Sequence, residues 1–229
     1  ADEKKTLPPP ITHDSVKSAD DFTLIVLPDT QGYADTRHRE TQKHWPEIGD
    51  QRACFFGQTE WIKKNHEARN ITLVTHVGDI TQTEHDDEWK IADAAFKTIE
   101  SHIPYVLCSG NHDMGYLPQL RKTSQSRASQ FSRYFPPSRF TKNPLYDAHF
   151  APEKERHFRE AGKTEDYYLF FQASGMDFLV ITLEFKPRDE AIAWANQVAE
   201  RHPGHRIIVL THGYLTKKGR LSESDGYPI

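Results

Sequence analysis

Four short polar clusters stand directly after runs of apolar, largely β-branched residues, and this pattern most limits what the chain can fold into. The runs cover residues 22–27, 71–77, 105–108 and 207–210, which is typical of buried strands. The clusters are Asp29-Thr30-Gln31, Gly78-Asp79, Gly110-Asn111-His112-Asp113 and Thr211-His212-Gly213. Because functional side chains concentrate in loops at strand ends, the clusters predict one polar site at the carboxyl ends of the strands.

Helical segments are predicted between the strands, at residues 51–67, 85–100 and 188–201. The second has three acidic residues in its first turn and an apolar face beginning at Trp89, as an amphipathic helix requires. Two further strands, at 167–173 and 176–183, flank Ser174-Gly175 and predict an antiparallel hairpin. The expectation is an α/β fold with mixed sheets and helices on the outside.

Two long segments have weaker patterns, and long loops in compact domains are usually functional. Residues 30–50 are predicted to form a loop whose Tyr33 and Arg37 bind substrate, since arginine pairs well with phosphate. The alternative is that this charged loop is an ordinary solvated surface without a role in binding. Residues 114–165 are predicted to be an irregular insert with one helix near 120–134, and residues 133–140 are expected to lie over the site as a wall or lid.

The 229 residues predict one domain at 21–229 after a flexible leader at 1–20, which is charged and contains Pro8-Pro9-Pro10. The sequence has no membrane-spanning stretch. It begins at Ala1 without methionine, as a mature protein cut from a secretory signal does, so export to the periplasm or the outside is predicted. A sequence shortened at its N-terminus for any other reason would begin in the same way, so a cytoplasmic location stays open.

The net charge of −4 provides no overall positive field, so nucleic acid is not supported as a partner and a small phosphorylated substrate is expected. The oligomeric state is not determined by the sequence. Cys54 and Cys108 form no C-x-x-C pair and are expected to be small apolar side chains in or near a core. A disulfide between them stays open.

The side chains at the strand ends offer carboxylates, amide oxygens and imidazoles, which suit one or two divalent cations with a bound water. Asp79 is the candidate bridging ligand, since Gly78 allows its backbone a close approach. Asp29 is predicted to bind the first metal, and Asn111 and His212 the second. Each residue alone has an ordinary interpretation as a turn, cap or loop residue, but their recurrence at four strand ends favours a site.

Three neighbouring residues have other predicted roles. His112 is expected to donate a proton or a hydrogen bond to the leaving oxygen, and Asp113 to orient its imidazole. A turn-forming Asp113 is the alternative. His76, two residues before Gly78, is expected to be a hydrogen-bonded core histidine.

The order of these residues resembles the motif series of the calcineurin-like metallophosphoesterases, D-x-H, G-D, G-N-H-D/E, H and G-H-x-H. Asp29, Asp79, Asn111, His112, Asp113 and His212 match it over residues 22 to about 214. The resemblance implies a four-layer α/β/β/α sandwich with metals at the strand ends. It also implies hydrolysis of a phosphate mono- or diester by a metal-bridging hydroxide.

Two departures from the motif series matter. Gln31 replaces a histidine, so the Asp29/Gln31/Asp79 site is rich in oxygen and should favour Mn, Mg or Ca, whereas Zn or Fe suits the Asn111/His212 site. No G-H-x-H follows His212, which predicts a C-terminally incomplete domain lacking its last strands. Both departures motivate a rival hypothesis, a non-catalytic metal- or ligand-binding protein on the same fold.

Overall fold

The computed structural model describes residues 21–36, 50–120, 122–149 and 157–213; the predicted leader and Arg37 lie outside them. The strands are β1 (Thr23–Leu27), β2 (Ile71–His76), β3 (Tyr105–Leu107), β4 (Tyr167–Ala173), β5 (Met176–Thr182) and β6 (Arg206–Leu210). The α-helices are α1 (Gln31–Ala34), α2 (Arg52–Asn65), α3 (Asp86–Lys97), α4 (Phe131–Tyr134), α5 (Pro137–Thr141) and α6 (Asp189–Arg201). Short 3-10 helices cover Asn111–Asp113 and Pro144–Tyr146.

The first sheet has the order β1-β2-β3, and its strands pair in parallel. Parallel neighbours need crossover connections, which α2 and α3 provide. Leu27 pairs with His76, and His76 pairs with Leu107, so the three strands end level with one another. The polar clusters after these strands therefore emerge along the same edge.

The second sheet has the order β4-β5-β6. β4 and β5 form the predicted antiparallel hairpin, and its turn residues Ser174 and Gly175 both have positive φ, of 51° and 70°. A type I′ hairpin turn requires this conformation at both central positions. β6 runs parallel to β5 with Thr182 opposite Leu210, so Thr211 and His212 leave the sheet at the carboxyl end of β5.

Alternating side chains of the hairpin pack on opposite faces of the second sheet. Tyr167, Leu169 and Phe171 join the main core together with residues of the first sheet. Tyr168, Leu179 and Ile181 face the other way and pack against Ala191, Ala195 and Val198 of α6. The prediction of an α/β fold with two packed sheets is thereby confirmed; the first sheet is parallel over the described strands and the second is mixed.

The helix predicted at 120–134 is wrong except for its last turn, α4. Two serine hydroxyls before that turn bond to backbone carbonyls of the 3-10 helix. Ser124 donates to the Asn111 carbonyl at 2.6 Å, and Ser129 donates to the Asp113 carbonyl. These bonds hold the segment in an irregular path along the loop after β3. They also brace the 3-10 helix that carries His112.

The lid predicted at residues 133–140 is also wrong. Arg139 bonds to Asp93 and Glu100 at 2.6 Å each, and Phe140 is fully buried in the main core. This part of the insert therefore packs against α3 and the core, because its aromatic and arginine side chains find partners there.

The loop predicted at 30–50 begins with the one-turn helix α1. Both cysteines are free; Cys108 is buried as expected, but Cys54 lies on an exposed face of α2. None of the helices in the described part of the chain has the length and apolar character needed to cross a bilayer.

Candidate metal centre

Asp29, Asp79 and His212 bring one ligand atom each within 4.8 Å of one another. They follow β1, β2 and β6, so the level strand ends and the packing of the two sheets create this convergence. Among the described residues this is the group of three or more histidine, cysteine and acidic side chains that fits a metal ion. The sequence predicted all three.

The backbone at Asp79 turns sharply, with φ of 95° at Gly78 and 53° at Asp79. Only glycine adopts the first value without strain, and a left-handed aspartate is uncommon. A Cβ on Gly78 would also meet the Gly110 nitrogen at 2.8 Å. The loops after β2 and β3 therefore touch backbone to backbone, and the turn directs the Asp79 carboxylate into the site.

The Asp79 carboxylate is almost fully buried. Its Oδ1 accepts the backbone N–H of His112 at 2.9 Å, and its Oδ2 accepts from Gln31 Nε2 at 3.2 Å. The same Oδ2 lies 3.5 Å from His212 Nε2. Burial alone would raise the pKa of Asp79, but the hydrogen bond and charge of His212 hold that pKa below its ordinary value.

Both ring nitrogens of His212 face oxygen acceptors. Nδ1 lies 2.8 Å from the Val77 carbonyl, and Nε2 lies 3.1 Å from Asn111 Oδ1. Burial disfavours the charged ring, yet the hydrogen bond and charge of Asp79 raise the pKa of His212 to about 9. Binding of a metal through Nε2 would require loss of the proton on that nitrogen.

Asp29 is the exposed member of the group, with 51% of its side chain accessible. Partial burial and the negative charge of Asp79 raise the pKa of Asp29. Its Oδ1 lies 3.7 Å from His212 Nδ1. Two carboxylates that each disfavour ionisation of the other are an arrangement that a cation stabilises.

Gln31 lies beside Asp79, the candidate bridging ligand, and one atom of its side chain has no hydrogen-bond partner among the described residues. Its Nε2 donates to Asp79, while its Oε1 is buried and has no hydrogen-bond partner among the described residues. A buried acceptor without a donor costs free energy, and coordination of a cation would satisfy it. The donor set therefore fits a divalent cation held by Asp29, Asp79 and Gln31.

The donor set around His212 fits a second cation in the same way. A metal-binding histidine usually donates its other N–H to a carbonyl or carboxylate, and the Val77 carbonyl accepts from Nδ1 here. Nε2, which lies next to Asn111 Oδ1 and Asp79 Oδ2, would then be free to coordinate the cation.

His112 is positioned by a backbone group that its sequence neighbours did not reveal. Its Nδ1 lies 2.8 Å from the carbonyl of Gln82, and since a carbonyl only accepts, Nδ1 carries a hydrogen. Nε2 remains for proton exchange. The backbone N–H of His112 donates to Asp79 Oδ1 at 2.9 Å, which ties the residue to the candidate metal centre.

The predicted role of Asp113 in orienting His112 is wrong. Its fully buried carboxylate accepts the backbone N–H groups of Gly110, Ile80 and Thr81 at 2.8–3.0 Å, as well as the Thr81 hydroxyl at 3.0 Å. Burial and the charge of Asp79 raise the pKa of Asp113 to about 6, against the effect of these donors. Asp113 instead joins the loops after β2 and β3, because the 3-10 helix turns its side chain inward.

The two predicted substrate-binding residues gain no support from the structure. Tyr33 is half-buried and packs against the main core, which explains it as a structural residue. Arg37 lies outside the described residues.

Comparison with known proteins agrees with this geometry. The described residues form two three-stranded sheets, with two carboxylates and a histidine converging at the strand ends. The family model for calcineurin-like phosphoesterases matches residues 22–228, and the chain belongs to that family.

One relative is the uncharacterized protein YvnB of Bacillus subtilis (strain 168), which is 33% identical over 215 residues. The match covers 93% of this chain but 14% of that protein. The chain therefore spans a small part of the length of this relative.

Proposed function

We propose that this chain hydrolyses a phosphate mono- or diester of a small molecule. The observation that carries the proposal is the convergence of Asp29, Asp79 and His212, with the backbone N–H of His112 bonded to Asp79. Family membership supports a metal-dependent phosphoesterase in general. Asp79, Asn111 and His212 also have hydrogen-bond partners that fix their side chains, as a catalytic metal site needs.

Divalent cations bound here would withdraw charge from the phosphoryl oxygens and make water a better nucleophile. Asp29, Gln31 and Asp79 would hold the first cation, and Asp79, Asn111 and His212 the second. The predominance of oxygen donors favours Mn, Mg or Ca at the first position, and the imidazole makes Zn or Fe suitable at the second.

His112 supplies the proton for the leaving oxygen in this proposal. The Gln82 carbonyl fixes the ring through Nδ1–H, so that the proton leaves from Nε2–H of the imidazolium.

The test is turnover of p-nitrophenyl phosphate and bis-p-nitrophenyl phosphate by chelator-stripped protein supplied with Mn²⁺. Asp79→Asn should lose bound metal and activity together. His112→Ala should keep its metal and lose roughly 10²–10⁴-fold in rate for poor leaving groups, with a smaller loss for nitrophenolate, which needs no proton.

The outcomes separate the roles. Equal losses for good and poor leaving groups in His112→Ala would contradict proton donation. Wild-type protein that binds Mn²⁺ but turns over neither ester would favour the non-catalytic rival, and Asp79→Asn with unchanged metal content would refute the bridging ligand.

A further inference from the structure

Two fully buried polar residues connect the loops that carry the candidate ligands. His76 ends β2, and Thr30 directly follows Asp29. The Gly78 N–H donates to His76 Nδ1 at 3.2 Å, and His76 Nε2 lies 3.0 Å from Thr30 Oγ1. The Thr30 hydroxyl in turn donates to the Ile80 carbonyl at 3.2 Å.

The groups at the two ends of this series of hydrogen bonds fix the direction of every bond in it. A backbone N–H only donates, so His76 Nδ1 accepts and Nε2 carries the hydrogen. That hydrogen goes to Thr30 Oγ1, whose own hydrogen goes to the Ile80 carbonyl. One arrangement of protons satisfies all these groups, and in it the His76 imidazole is neutral. Burial lowers the pKa of His76 to about 3, which agrees with a neutral ring.

The bonded groups flank the candidate ligands on both sides. Gly78 and Ile80 are the neighbours of Asp79, whose left-handed conformation is held only if the surrounding structure fixes it. Thr30 is the neighbour of Asp29, and the Gln31 N–H donates to the Asp79 carbonyl at 2.9 Å. The loops after β1 and β2 are thus joined by the His76 and Thr30 side chains as well as by the Gln31 N–H.

We propose that His76 and Thr30 are positioning residues that set the distance between the Asp29 and Asp79 carboxylates, and that cation affinity depends on the Thr30 hydroxyl. This inference rests on the proposed function, in which both carboxylates bind metal. The competing interpretation is that the pair only fills and stabilises the core.

Thr30→Val is the decisive variant, because valine keeps the shape of threonine but neither donates nor accepts. Mn²⁺ affinity is measured by titration calorimetry on the chelator-stripped, 229-residue chain. Loss of a group that orients a metal ligand typically costs 10–100-fold in affinity, and Thr30→Val should lose roughly tenfold or more. Thr30→Ser retains the hydroxyl and should restore the affinity.

Thr164→Val is the matched control, since Thr164 is also fully buried and its hydroxyl donates to the Phe135 carbonyl at 2.7 Å. It should bind Mn²⁺ as the wild type does. If Thr30→Val does not fold, His76→Gln and His76→Leu replace it, because only glutamine keeps a donor for Thr30. Glutamine should then retain more affinity than leucine.

Wild-type affinity in Thr30→Val would overturn the inference, as would equal weakening in Thr30→Ser or in Thr164→Val. Equal affinities of the two His76 variants would also overturn it. A wild-type chain that binds no Mn²⁺ would instead contradict the proposed function, so the two failures are distinguishable.

Discussion

Replacing Gly110 with alanine should disturb the candidate metal centre without any change in backbone preference. Gly110 has φ of −109°, which alanine adopts freely. Its Cβ, however, would lie 2.1 Å from Asp79 Oδ1 and 2.2 Å from the Asp79 nitrogen. Because the second contact is with backbone, the Asp79 loop has to withdraw by about 1 Å to reach an ordinary contact distance.

The expected magnitude follows from this displacement. Overpacking of a tight contact costs about 1–3 kcal/mol, and a domain of this size loses about 2–4 °C in Tm per kcal/mol. Metal–ligand distances are acceptable within about 0.2 Å, so a shift of about 1 Å in Asp79 should also weaken Mn²⁺ binding by roughly tenfold or more.

Calorimetric Tm and Mn²⁺ titration of Gly110→Ala and Gly57→Ala provide the assay. Gly57 lies within α2, and a Cβ there would meet nothing within 4 Å. Its replacement should raise stability by about 0.5–1 kcal/mol and leave Mn²⁺ affinity unchanged. A Gly110→Ala variant with wild-type Tm and wild-type Mn²⁺ affinity would refute the close packing of the two loops.

Two further predictions concern residues near the centre. Burial raises the pKa of Glu84 from 4.5 to about 7, so its protonated form stabilises the fold at low pH, and about 3 kcal/mol at most is lost as pH rises from 4.5 to 7. Glu84→Gln should flatten this part of the stability profile in urea unfolding at pH 5 and pH 8, and an unchanged profile would exclude Glu84 as its source. Gln31→His should tighten metal retention after dialysis and move the preference from Mn or Mg toward Zn, whereas identical metal preferences would place Gln31 outside the coordination sphere.

The convergence of the candidate ligands was predictable because it depends on features that the sequence encodes locally. Runs of β-branched residues define the strands, and parallel pairing with level ends brings Asp29, Asp79 and Asn111 to one edge whatever the loops do. The support of His112 was not predictable, since it comes from the Gln82 carbonyl. Any residue type has that group, and only the loop conformation directs it to the imidazole.

The path of the insert at residues 114–165 was also not predictable from the sequence. Ser124 and Ser129 bond to carbonyls of the 3-10 helix, and nothing in a serine-rich stretch specifies such distant partners. Asp113 shows the same limit. Its position next to His112 suggested a contact with that residue, whereas its donors include the backbone N–H groups of Ile80 and Thr81, more than thirty residues away. Long-range backbone contacts have no residue-type signature.

Three buried polar residues, Asp113, His76 and Thr30, hold different pairs of the loops that carry the candidate ligands. Asp113 joins the loops after β2 and β3, and the His76–Thr30 pair joins the loops after β1 and β2. Each of these three residues is fully buried, while Asp29 remains half exposed to the solvent. A site that binds and releases ligands needs accessible donors, but those donors are effective only when buried groups hold their loops. Substitutions in the buried set should therefore alter metal affinity although none of the three side chains is a proposed ligand.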